Sequence, residues 1–153
     1  MDKQFNPQFS KIGEILIHQG KVSESQLNEA LAQQKNTKEK LGQTLIGMNV
    51  IEEDDLMDVY SLQLGYKKAD NFILLETDAA VAAMVPEDFA RTNRVLAVSK
   101  KGDTLLVAME DPEDLVVVDS IKRLTGLNSE ILVAGPELLE KAMEKVYGDI
   151  QKA

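Results

Sequence analysis

The chain has no cysteine and no tryptophan, a single histidine, and aromatics at only 5%. Without cysteine there is no disulfide framework, no thiol nucleophile and no thiolate metal site. One histidine, His18, cannot build a histidine-based metal cluster, so no metal site is expected, and His18 reads as a surface residue. No apolar run approaches the roughly 20 residues of a membrane span. Residues 1–10 (MDKQFNPQFS) carry no apolar stretch of the secretory-signal type and read as a flexible leader. Positive charge is short as well. Against 17 Lys and Arg stand 26 Asp and Glu, a formal net charge of −9, which argues against a nucleic-acid polymer as partner. Together these absences predict a cytoplasmic protein with no metal chemistry.

What is present is a globular composition, 44% hydrophobic and 28% charged over 153 residues, enough for one domain or two small subdomains. The charge is uneven, net −2 over residues 1–69 and net −7 over residues 70–153. Within the first half Lys35, Lys38 and Lys40 cluster; they read either as a dock for a small dianion or as a solvated connector.

The most informative feature is a repeat. Residues 11–34 (KIGEILIHQGKVSESQLNEALAQQ) and 40–63 (KLGQTLIGMNVIEEDDLMDVYSLQ) align at a shift of 29, with seven identities. These are Lys11/Lys40, Gly13/Gly42, Leu16/Leu45, Ile17/Ile46, Glu24/Glu53, Leu27/Leu56 and Gln34/Gln63. Repeated sequence means repeated local structure, and a tandem pair presents the same groups to a ligand twice. Packing alone would preserve the apolar positions and the glycine, but not the Lys and Gln at the two ends.

Each copy reads as a helix pair. Ile12, Ile15 and Leu16 start a helix that Gly20, in a left-handed conformation, would end. Ser23 and Gln26 fit a capping box opening a second helix, whose apolar face is Leu27, Ala30 and Leu31. The second copy predicts helices over 38–48 and 53–64, with Asn49 in the place of Gly20, Glu52 as a poorer cap than Ser23, and Gly65 as the stop. Neither pair buries its own face, so residues 11–65 are expected to form a four-helix subdomain.

Residues 66–148 read as an α+β subdomain, followed by a tail over 149–153. Phe72–Leu75 suggests a strand and Ala79–Met84 a helix capped by Thr77 or Asp78. Pro86–Asp88 suggests a helical turn with Pro at its first position. Arg94–Ser99 and Thr104–Met109 form a hairpin across Lys100–Asp103. A helix is expected from an Asp111 cap to Thr125, stopped by Gly126. Glu130–Ala134 reads as a strand, and Pro136–Tyr147 as a helix stopped by Gly148. The fold class is α+β: a four-helix unit of two tandem repeats, then a small α/β sandwich.

At this point the residues resemble a known family. Lys-(Ile/Leu)-Gly opening each copy and Gln closing it, with residues 35–39 (KNTKE) as a five-residue spacer, is similar to the MshEN domain. This is the N-terminal domain of type II secretion and type IV pilus assembly ATPases. The second half resembles it too, in MVPEDFA (84–90), GDTLLVAM (102–109) followed by Asp111-Pro112, Leu124-Thr125-Gly126, and Val146-Tyr147-Gly148.

The resemblance implies a ligand, cyclic di-GMP, bound across the two motifs with one guanine half on each. It implies as contacts Lys11, Ile12, Gly13, Leu16, Leu27, Leu31 and Gln34 in the first copy. In the second copy the contacts would be Lys40, Leu41, Gly42, Leu45, Leu56, Tyr60 and Gln63, with Asp111 added from the second half. The chemistry is reasonable: a helix start offers N–H groups to phosphate, Gly admits close approach, Leu and Ile face a purine, and Gln bonds a base edge.

Several positions depart from the family. Lys11 and Lys40 stand where it carries Arg, and Lys lacks the planar fork that pairs with guanine O6 and N7. Lys21 replaces an apolar residue, Asn49 a Gly, and Tyr60 a Leu. Plainer readings also stand. The Leu and Ile side chains suit a core, both glycines suit close helix packing, both Gln suit an exposed helix, and Asp111 suits an N-cap.

The chain holds no Walker A sequence and no catalytic constellation, so by itself it is not expected to hydrolyse ATP. Two functions follow from the resemblance. One is a non-catalytic regulatory domain sensing cyclic di-GMP for a secretion or pilus motor. The other is a ligand-independent module docking on the ATPase motor domain or an inner-membrane platform protein, its acidic half facing a basic surface.

Overall fold

The computed structural model describes residues 11–152, so the leader expected over residues 1–10 lies outside it. The chain divides into two compact units after Gly65.

The first unit holds helices α1 (Ile12–His18), α2 (Glu24–Thr37), α3 (Leu41–Gly47) and α4 (Glu53–Leu64). Helix α1 ends as Gly20 would dictate. At φ +74 Gly20 turns the chain so that its N–H bonds to Ile17 O and the Lys21 N–H to Leu16 O, both at 3.0 Å. Asn49 repeats this closure of α3 at φ +60, its N–H on Ile46 O and the Val50 N–H on Leu45 O. Ser23 and Gln26 form the reciprocal box at the start of α2, with bonds of 3.0 and 3.1 Å. At the start of α4 the Glu52 N–H donates to the Asp55 carboxylate at 2.9 Å.

One boundary differs from expectation. Helix α2 runs through Thr37 into the anticipated spacer, and Lys38 ends it at φ +60, its N–H on Gln34 O. The following helix therefore starts at Leu41 rather than at 38.

Across the copies α1 packs on α4, α2 on α3, and α1 on α3. Exchanging the copies turns the first contact into the second and leaves the third unchanged. This is the pattern of a two-fold rotation, not of a translation. The buried positions match too: Gly13/Gly42, Ile15/Thr44, Leu16/Leu45, Val22/Ile51 and Ala30/Val59. Thr44 replaces Ile15 with its hydroxyl satisfied by Lys40 O. The second copy also buries Leu56, Met57 and Tyr60.

The second unit runs β1 (Lys67–Lys68), α5 (Asn71–Leu75), α6 (Ala79–Ala82), α7 (Glu87–Asn93), β2 (Val95–Lys101), β3 (Thr104–Met109), α8 (Leu115–Thr125), β4 (Asn128–Val133) and α9 (Pro136–Lys152). Its sheet has the order β1-β4-β3-β2. Strands β2 and β3 are antiparallel, while β4 runs parallel to both β3 and β1. The hairpin turns at Gly102-Asp103, with Gly102 at φ +61. A bulge between Ala97 and Ser99 interrupts the pairing, and the Val98 carbonyl there accepts the Asp78 N–H at 2.9 Å. Helix α9 packs against α5, α6 and β2, burying Leu139, Ala142, Met143, Val146 and Tyr147; α8 packs on β4.

The α+β fold class stands, with corrections inside it. Phe72–Leu75 is helical, because Asp70 caps it by accepting the Ile73 N–H at 2.8 Å. Only Leu74 of that apolar run is fully buried, and Phe72 is 79% exposed. The strand lies earlier, at Lys67–Lys68, where two exposed lysines give no apolar signal. Pro86 is the N-cap, not the first helical residue, and its helix extends to Asn93, ended by Arg94 at φ +54. Asp114, not Asp111, caps α8 by accepting the Val117 N–H. Gly148 does not stop α9. The helix continues to Lys152 because Ile150 carries its apolar face onward against the core.

No helix among the described residues is long and apolar enough to cross a membrane.

Candidate functional site

The two copies open in the same way. Lys11 and Lys40 are the N-caps of α1 and α3, at φ/ψ −72/156 and −66/147. Neither caps its helix with its side chain, and both are exposed. Ile12 and Leu41 follow, half-buried. Gly13 and Gly42 are buried, and the space beside each is taken by a leucine of the partner helix. A methyl on Gly13 would lie 2.8 Å from Leu27 Cδ1, and one on Gly42 2.6 Å from Leu56 Cδ1. Within each copy a leucine end is therefore seated directly on the glycine, and any side chain added there would have to displace it.

The closing ends are unequal. Gln34 and Gln63 are both half-buried, and Oε1 of Gln63 is shielded from solvent. Leu31 is 40% exposed, whereas its counterpart Tyr60 is 5% exposed. Leu27 is half-buried, while Leu56 is wholly buried. Leu16 and Leu45 are core residues in both copies. Accessible surface among the expected contacts thus belongs to Lys11, Ile12, Leu27, Leu31 and Gln34 in one copy and to Lys40, Leu41 and Gln63 in the other. Leu16, Leu45, Leu56 and Tyr60 lie beneath.

Asp111 belongs to the other unit. Its carboxylate accepts the Glu113 N–H at 3.1 Å and its carbonyl the Asp114 N–H at 3.2 Å, forming the turn that precedes α8.

Sequence reasoning missed one contact inside the repeat unit. Lys21 Nζ lies 3.1 Å from Asp55 Oδ1 and joins the turn after α1 to the first turn of α4. The signal was available: counterparts 29 residues away are Val50 and Gln26, so both positions break the repeat.

The second unit carries an ion-pair network. Arg91 meets Glu87 at 2.8 Å and Glu140 at 2.9 Å, and Arg94 meets Glu140 at 3.3 Å and Glu110 at 3.4 Å. The hydrogen bond to Glu87 leads in holding the Arg91 guanidinium pKa above its usual value, ahead of an opposing effect of burial. Tyr147, buried, donates to Val85 O at 3.4 Å, and burial pushes its phenol up to about 12. A shallow depression of about 560 Å³ on the sheet, lined by Ser99, Lys101, Thr104, Leu106 and Glu130, includes none of the expected contacts. Among the described residues no group of three or more His, Cys, Asp or Glu is placed to hold a metal.

Known proteins resemble this chain along most of its length. Over 139 residues, 91% of the chain, it is 32% identical to the type IV pilus assembly ATPase PilB of Myxococcus xanthus, covering 24% of that protein. The chain spans about a quarter of the length of the curated relatives it matches. Its fold superposes on the structure of MshE with cdg (cyclic di-GMP) at a TM-score of 0.79 and 32% identity, covering 90% of this chain and 99% of that one. The N-terminal domain of XpsE shares the fold at a TM-score of 0.74 and 19% identity, covering 94% of this chain and 98% of that one. Residues 72–153 match the MshEN domain family directly, so the chain belongs to that family.

Proposed function

We propose that the helical unit binds cyclic di-GMP across its two copies and thereby regulates a type II secretion or type IV pilus assembly ATPase. The observation that carries this reading is the repeated opening. Each copy presents an exposed lysine not used as a side-chain cap, then a half-buried aliphatic residue, then a glycine seated on a leucine. MshE, 32% identical, has been solved with cyclic di-GMP, which supports the same ligand here.

In this reading Lys11 and Lys40 supply positive charge to the ligand. Ile12, Leu27, Leu31 and Leu41 give apolar surface to the purines, and Gln34 and Gln63 bond polar edges. A ligand touching both copies stiffens the four-helix unit, and its differential affinity biases the orientation of the motor. The chain has no Walker A sequence, and the catalytic ATPase region of its relatives is absent from it.

Isothermal titration with cyclic di-GMP tests the proposal. The native chain should bind with a Kd of roughly 1–100 µM. Lys11→Arg with Lys40→Arg should bind at least about tenfold tighter, since each restored guanine fork contributes roughly 1–3 kcal/mol. Absence of heat in both proteins would sink the reading.

A second reading is favoured by one observation on the other unit. Phe72, Leu115 and Val116 are among its most exposed apolar residues, on a unit carrying net charge −5 over residues 66–153. Such a surface suits docking on a basic partner, either the inner-membrane platform protein or the motor domain. Phe72→Glu should then abolish co-purification with that partner and leave nucleotide titrations unchanged.

A further inference from the structure

Two of the positions at which the copies differ hold residues that touch. Lys21 stands where the second copy has Val50, and Asp55 stands where the first copy has Gln26. Their side chains meet at 3.1 Å across the boundary between the copies. Under the exchange that relates α1–α4 to α3–α2, this contact maps onto Val50 and Gln26, which cannot form an ion pair. The clasp is therefore one-sided.

Its surroundings give it more weight than an ordinary surface pair. Asp55 is largely shielded, while Lys21 is half-exposed. The Asp55 carboxylate also accepts the Glu52 N–H, so the same group orders the start of α4 and meets the lysine. Glu53, Asp54 and Asp55 crowd the first turn of α4, whereas Glu24 alone is acidic in the first turn of α2. The α4 dipole favours those acids but does not remove their mutual repulsion, and Lys21 brings a positive charge to Asp55 from the other copy.

We propose that the Lys21–Asp55 ion pair is a positioning element: it holds α1 of the first copy at a set angle on α4 of the second, and so sets the separation of the two half-sites. This rests on the reading that one ligand must touch both copies. A ligand of fixed length tolerates little variation in that separation.

The test uses three substitutions in the whole chain. Lys21→Met removes the charge and keeps the stem. Asp55→Gln removes the charge and keeps a capping side chain, as Gln26 does in the first copy. Lys21→Arg keeps the pair. With no native cysteine, spin labels on Glu14→Cys and Leu62→Cys report the α1–α4 distance by pulsed paramagnetic resonance, without ligand. Lys21→Met and Asp55→Gln should broaden that distance distribution with far-UV circular dichroism unchanged, and should weaken cyclic di-GMP binding about two- to fivefold. Lys21→Arg should match the native chain in both readouts. Native distance distributions in Lys21→Met and Asp55→Gln would overturn the proposal, as would an Arg variant as broad as the Met variant. The distance measurement needs no ligand, so it decides the clasp even if the native chain binds no cyclic di-GMP.

Discussion

Gly42 and Leu56 are packed so closely that a methyl group on the glycine would sit 2.6 Å from one leucine methyl and 2.9 Å from the other. Gly13 and Leu27 repeat the arrangement at 2.8 and 2.9 Å. The two leucines differ in their freedom to yield, because Leu56 is wholly buried and Leu27 only half-buried. Overpacking typically costs about 1–3 kcal/mol, while replacing a helical glycine by alanine returns up to about 1 kcal/mol. Gly42→Ala should therefore lower stability by about 1–2 kcal/mol, and Gly13→Ala should be close to neutral. Urea unfolding of the two variants checks the difference; equal midpoints would contradict the packing argument.

Leu31 and Tyr60 occupy the same place in the repeat with opposite burial. Tyr60→Ala should cost about 3–4 kcal/mol through loss of buried aromatic volume. Leu31→Ala should cost less than about 1 kcal/mol, because much of its surface already faces water. Thermal midpoints of the pair read this directly, and a Leu31 variant as damaged as the Tyr60 variant would show that the first copy is packed from outside.

Gly20 and Gly47 have equal room, since a methyl group placed on either would meet nothing within 4 Å. They differ in backbone: Gly20 sits at φ +74, while Gly47 is the last residue of α3 in ordinary helical geometry. Gly20→Ala should destabilise by about 1 kcal/mol through left-handed strain. Gly47→Ala should stabilise by about 0.5 kcal/mol, through propensity and a less flexible unfolded chain. Opposite shifts in denaturation midpoint are the expected result.

Tyr147 links the second unit to pH. Its phenol ordinarily titrates near 10.0 and is pushed to about 12 by burial, with Glu87 adding to the effect. The folded state then holds its proton longer than the unfolded state. Its contribution is full below pH 10 and declines as pH rises through about 12, by up to about 2 kcal/mol. Tyr147→Phe should flatten that decline while costing less than about 1 kcal/mol at pH 7, because the bond to Val85 O is long at 3.4 Å. Urea unfolding at neutral and strongly alkaline pH compares the two proteins.

Elements with local chemical instructions were legible in the sequence. The Ser23–Gln26 box, the left-handed Gly20, Asn49 and Gly65, and the stop at Gly126 all encode their geometry within a few residues. Elements decided by tertiary packing were not. Phe72–Leu75 has the composition of a strand, but the Asp70 cap and the burial of Leu74 on α9 make it a helix. Lys67–Lys68 becomes a strand only because β4 has an edge to pair with. Gly148 would have ended an isolated helix, and the core contact of Ile150 overrides it. At the site, the repeat named the positions but not their depth: nothing in Leu31 or Tyr60 says which of the two faces water. The ion pair of Lys21 with Asp55 needed the copies to be set side by side, since its partners lie 34 residues apart and match no motif.

The packing of α1 on α4 and of α2 on α3 also limits how this unit can grow. A solenoid leaves a free face at each end, ready for another copy. Here each helix pair spends its face on the other, as two subunits do in an isologous dimer. Inserting a third copy of residues 11–39 would add a helix pair that stands outside this reciprocal packing. The number of copies is set at two by closure, as it is for a symmetric homodimer whose subunits happen to share one chain.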